Sequence, residues 1–200
     1  MFVFDVSDTE PGPDATLLPS YVEKPFEVRS GKVGSELEWA IENAKRDGIE
    51  IITPKEGSLS AGSIMKLSEK NSKSFWHRSE KDQQGASIYV GIPIRYTLLL
   101  NENLSSEARY ATLTYELGHL YCDHLGTPNR KWWPDRPLSE KTVAEFKAKK
   151  FSFLVCSRKN INNPSDLYLS GYLDHHDEIN KSRRHHESGW VDLTDRNNED

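Results

Sequence analysis

At 200 residues the chain can hold one domain with its own core, and its 36% hydrophobic and 28% charged residues describe a polar-rich globular protein. A formal net charge of −5 gives no general attraction to nucleic acid or to an anionic membrane, while leaving a local basic patch open. Two cysteines are too few for a secreted disulfide framework, MFVFDVSD lacks the flanks of a signal peptide, and no apolar run spans a membrane, so a cytoplasmic protein is expected.

Met1–Val6 alternates apolar residues as a strand does, and a strand at the very first residue, odd for an intact N-terminus, raises the question of missing upstream sequence. Residues 9–25 carry four prolines and predict an irregular connection. A helix follows over Ser35–Arg46, with Ser35 as N-cap and Leu37, Ile41 and Ala44 on one face. Gly48 ends it, and Ile49–Ile52 is a short strand closed by Pro54. Gly57–Gln84, rich in Ser, Lys and Gly, predicts a short helix at its apolar patch Ile64–Leu67 and then an exposed loop. Ser87–Val90 and Arg95–Leu100 predict two strands separated by Gly91-Ile92-Pro93. Ser105 or Ser106 caps a helix running to about Leu125, where Gly126-Thr127-Pro128 stops it. After a loop containing Trp132 and Trp133, Ser139 caps a second long helix to about Ser157, and Asn163-Pro164 opens a short one. The organisation predicts an α+β domain over 1–173 with a small, mixed, largely antiparallel sheet. A polar, flexible tail (174–200) contains His175-His176 and His185-His186.

The helix over Glu107–Leu125 (EARYATLTYELGHLYCDHL) carries the chemistry. Ala108, Ala111, Tyr115, His119 and Cys122 share one face, and Tyr110, Leu113, Leu117, Leu120 and Tyr121 the other, so it is expected to be buried on nearly all sides. That leaves Glu116 and His119 inside a core, where a charge needs a partner. Tyr115-Glu116-Leu117-Gly118-His119 has the spacing of the H-E-x-x-H zinc helix with the first His changed. In that motif two imidazoles on one face bind zinc, and the intervening Glu is the general base.

The words RYATLTYELGHLYCDHLG, WWPDR and FLVCSRKNINNPSDLYLSGYL, with VFDVSDTE and RYTLLLNENLS before them, resemble the ImmA/IrrE-type zinc metallopeptidase domain, related to ArdC-type antirestriction proteins. The resemblance runs from Phe2 to Leu173. It implies a metallopeptidase fold with a zincin-like motif helix and a following helix that supplies a third ligand. It also implies bacterial relatives that cleave a repressor or act in mobile-element and phage conflict.

Against that pattern the first ligand falls on Tyr115, whose phenol is neutral at ordinary pH, and the third on Lys147, whose ammonium has no lone pair. Glu116 remains as a vestigial general base, and His119 as the single imidazole able to hold any metal. Lys147 lies with Val143, Phe151 and Leu154 on an apolar stripe, so its ammonium is expected to replace the metal and neutralise Glu116; a lysine snorkelling along the core edge is the plainer reading. Lys149 points away. Cys122 is a small core residue or a neighbouring thiolate, and His124 a hydrogen-bonded structural residue. The resulting expectation is a catalytically impaired, protein-binding or regulatory module with no cofactor. Its partner would be a protein such as a transcriptional regulator, with no membrane and no nucleic acid indicated by the net charge. The rival is an active zinc endopeptidase that holds metal through His119 with Tyr115, Cys122 or Asp123. A decayed gene without a selected activity is the third reading.

Overall fold

Tyr96–Leu100 (YTLLL) is apolar at nearly every position, the pattern of a strand covered on both faces, and it forms the central strand of the fold. The computed structural model describes residues 9–16, 18–68, 73–81, 83–126 and 140–163. In chain order these form α1 (Ser20–Glu23), α2 (Glu36–Arg46), β1 (Ile49–Ile52), β2 (Gly62–Lys66), β3 (Ser74–Lys81), β4 (Ser87–Pro93), β5 (Tyr96–Leu100), α3 (Ser106–Tyr121) and α4 (Lys141–Ser157). β5 pairs in parallel with β1 and antiparallel with β2, giving the order β1-β5-β2. β3 and β4 form a separate antiparallel ribbon. This is an α+β fold with a small mixed sheet.

The core lies between the sheet and the helices. Strand alternation sends Ile49, Tyr96, Leu98 and Leu100 into it, where they meet Leu37 and Ala44 of α2 and Tyr110, Leu113, Leu117 and Leu120 of α3. Helix α2 ends where the sequence places its end: Gly48 takes a left-handed φ of 78°, and a Cβ there would strike the Pro93 carbonyl. Ser105 caps α3 by accepting from the Ala108 N–H at 3.2 Å. Ser35 stands at the start of α2 without a capping bond from its side chain; the Glu36 carboxylate accepts from the Gly34 N–H instead.

Several expectations are corrected. The patch Ile64–Leu67 is strand, not helix, because Ile64 packs against the core and the segment pairs with β5 over five residues. The expected exposed loop contains β3. The Gly91-Ile92-Pro93 break lies inside β4, where Gly91 leaves room for the Trp76 ring that rests against it. α3 ends at Tyr121, four residues early, with Asp123 in a left-handed conformation just beyond it. The strand at Met1–Val6, Trp132, Trp133, Ser139, the helix after Asn163 and the His-rich tail lie outside the described residues.

Candidate functional site

Helices α3 and α4 pack closely because small residues face each other. A Cβ on Gly118 would come within 3.0–3.1 Å of the Ala148 backbone, so any larger residue would push the two helices apart by a few tenths of an ångström. One turn away the Thr114 and Ser152 hydroxyls lie 2.9 Å apart, and Ser152 donates to the Ala111 carbonyl and accepts from Asn163. The packed row of α4 is therefore Ala148, Ser152 and Cys156, all buried, at helical spacing. Leu154, assigned to the packed stripe by its bulk, is 53% exposed.

Extending that row one turn toward the start of α4 reaches Glu145. Its carboxylate accepts a short hydrogen bond from the Tyr115 hydroxyl, and its other oxygen lies 3.9 Å from His119 Nε2. The α4 carboxylate that meets the motif helix is thus Glu145, two residues before Lys147. The expected loss of an acidic group from this position is corrected accordingly. Lys147 is half-buried and its charge acts on His124, while Lys149, expected to point away, is half-buried and acts on His119.

Tyr115 and His119 stand one turn apart with their rings edge to face at 5.0 Å. His119 uses its two nitrogens differently. Nε2 faces Glu145, whereas Nδ1 is 3.0 Å from Nδ1 of His124. His124 reaches it because the helix has ended, and the left-handed Asp123 turns the chain back. Two Nδ1 atoms at that distance share one proton, so one ring donates and the other accepts. Burial favours two neutral rings: it lowers the pKa of His119, opposed by Glu145, and with the neighbouring His119 it takes His124 down to about 4.

Glu116, 7% exposed, lies on the flank of α3 next to β2. The bonds from Leu67 to Arg95 and from Asn101 to Ala61 fix the ladder, so Ile64 directs its N–H away from β5, toward the open edge. The Glu116 carboxylate accepts from that N–H. Burial nevertheless pushes its pKa up to about 7, with the charge of Glu145 adding to the rise. The groups acting on Glu116 are therefore a backbone N–H and a second carboxylate, in place of the expected lysine cation. With a pKa of about 7 the carboxyl is about half protonated at neutrality, which lessens its need for a cation.

Cys122 sits at the C-cap of α3, half-buried and outside any disulfide. Tyr121, assigned to a buried face, is 44% exposed and donates to Asp47 at 2.5 Å.

The donor set decides whether a catalytic zinc fits. His119 Nε2 and Glu145 converge, but the neighbouring phenol donates a proton to that carboxylate, and His119 Nδ1 is taken by His124. Such a zinc normally has three protein ligands, and among the described residues no group of three His, Cys, Asp or Glu side chains is placed to hold a metal. Among the described residues the arrangement does not fit a catalytic zinc. It is a half-buried acid–base cluster of Tyr115, His119, His124 and Glu145, with the buried Glu116 beside it.

Sequence reasoning missed Glu145; it read His124 as a hydrogen-bonded structural residue but not that its partner is His119. Glu145 was legible as the residue one turn before Ala148 on the small-residue row; no periodicity marks His124, which acts from beyond the helix end. No protein-family model matches the chain, and no curated protein or solved structure is significantly similar to it.

Proposed function

We propose that the chain is a degenerate metallopeptidase-type domain of the ImmA/IrrE kind, which binds a polypeptide partner rather than cleaving it. The observation that supports this reading is the Tyr115–Glu145 hydrogen bond. A phenol stands where the motif places an imidazole, and its proton ties up the carboxylate positioned to be a ligand. Around it stand Glu116 beside β2, His119 one turn on from Tyr115, and Glu145 across the helix pair. Among the described residues such a site lacks the third donor that holds a catalytic metal.

The rival reading, an active peptidase with a non-standard metal site, draws on Glu116. A carboxyl with a pKa near 7 is matched to general-base work at neutral pH. Elemental analysis after dialysis, run beside hydrolysis of a quenched fluorescent peptide mixture, separates the two. The binding reading expects no stoichiometric zinc and no chelator-sensitive hydrolysis. About one zinc per chain, lost in His119→Ala together with hydrolysis, would establish the rival.

A further inference from the structure

The ribbon of β3 and β4 is unusual in what it leaves uncovered. An isolated two-stranded ribbon is marginal in water. Yet beyond each other, β3 and β4 make no more than marginal contact with the other helices and strands among the described residues. Trp76 is 74% exposed and Tyr89 59% exposed, large rings left open to solvent.

The register decides what shares a face with them. Trp76 pairs with Gly91 and Arg78 with Tyr89, but Lys81 pairs with Ser87, so β3 spends three residues where β4 spends two. This bulge reverses the alternation and places Lys81 on the face that holds Trp76 and Arg78. That face reads Ser74, Trp76, Arg78 and Lys81 on β3, and Ser87, Tyr89, Gly91 and Pro93 on β4. It has two exposed cations, two exposed rings, and no carboxylate among its described side chains. The opposite face carries Phe75, His77 and Ser79 on β3 and Ile88, Val90 and Ile92 on β4, and is mostly apolar.

We infer that the Trp76/Arg78/Lys81/Tyr89 face binds single-stranded nucleic acid, with the two rings stacking on bases and the two cations meeting phosphates. Trp76 and Tyr89 are diagonal neighbours across the ribbon, roughly 7–8 Å apart at Cα, a spacing that suits stacked bases. Base faces are accessible in a single strand and hidden in a duplex, which selects the strand form. A second copy of this chain is disfavoured, because pairing this face with itself sets Arg78 and Lys81 against the same cations. The net charge of −5 is no obstacle, since two local cations with stacking rings act at contact range under ionic screening.

Fluorescence anisotropy of a labelled oligothymidylate of about 15 nucleotides, a length typical of small binding modules, tests this. Wild type is expected to bind at low salt, and to bind the matching duplex more weakly. Trp76→Ala and Tyr89→Ala should each weaken binding about five- to a hundredfold, the range for one lost stack. Two phosphate contacts give a salt slope near −1.4, so going from about 50 to about 200 mM salt should cost about sevenfold. Arg78→Ala with Lys81→Ala should flatten that slope. Circular dichroism checks that each variant folds, and Trp76→Phe, which keeps a stacking ring, should retain most of the affinity. Absence of binding by wild type, equal affinity for duplex, or undiminished binding by a folded Trp76→Ala protein each overturns the inference. So does equal competition by polyglutamate, which would mean that charge alone is read.

Discussion

Glu116→Gln is the perturbation that reads the interior of the site most directly. A carboxyl whose pKa is about 7 in the fold and 4.5 as its ordinary value binds its proton more tightly when folded. Its contribution to stability is fully present below about pH 4.5 and is lost as pH rises through about 7. At 1.36 kcal/mol per pKa unit, that shift corresponds to roughly 3 kcal/mol between about pH 4.5 and pH 8, without a large discount because the group is 7% exposed. Glutamine keeps an oxygen for the Ile64 N–H and has no proton to lose. His124, held near 4, acts in the opposite direction over part of this window, since its neutral folded ring costs stability as pH falls below about 6.5. The difference between wild type and variant cancels that contribution. Urea unfolding at about pH 5 and about pH 8 should show the variant gaining on wild type by roughly 2–3 kcal/mol toward the alkaline end. Parallel curves for the two proteins would refute the buried, N–H-bonded placement of Glu116.

Two further outcomes follow from packing and polar satisfaction. Gly118→Ala should lower stability by about 1–3 kcal/mol in thermal unfolding, despite alanine's better helix propensity of roughly 1 kcal/mol, because its methyl meets the Ala148 backbone. Asn101, 2% exposed, accepts from the Glu56 and Asn103 N–H groups and donates to the Glu56, Gly57 and Ser60 carbonyls. Asn101→Ala should cost about 2–4 kcal/mol in urea unfolding and expose the 54–61 connection to proteolysis earlier than wild type.

Where local signals and packing agreed, the sequence was readable. Helix α2 with its glycine stop, β1, Ser105 at its cap and the all-round burial of α3 each follow from periodicity and end chemistry. β2 was lost because GSIMK is too short to show alternation, and its strand character comes from pairing with β5. β4 was cut short because Gly and Pro usually break strands, whereas here Gly91 accommodates an indole and Pro93 closes the strand. In the site, Tyr115, Glu116 and His119 were visible as a motif. The face of α4 was misjudged by following bulk: Phe151 does pack beside Gly118, but Leu154 is exposed, and the close helix contact selects Ala148 and Ser152, and with them Glu145.

Glu145 also sharpens what a repaired site requires. If a tyrosine has displaced one imidazole while the α4 carboxylate stays in place, Tyr115→His alone should complete a set of two imidazoles and one carboxylate, with no change at Lys147. Calorimetric zinc titration of wild type, Tyr115→His, and Tyr115→His with Glu145→Gln measures this directly. The expected result is no stoichiometric binding by wild type, about one zinc per chain in the single variant, and loss of tight binding in the double variant. Tight zinc binding by wild type, or a folded Tyr115→His protein that binds none, would contradict the degenerate-site account.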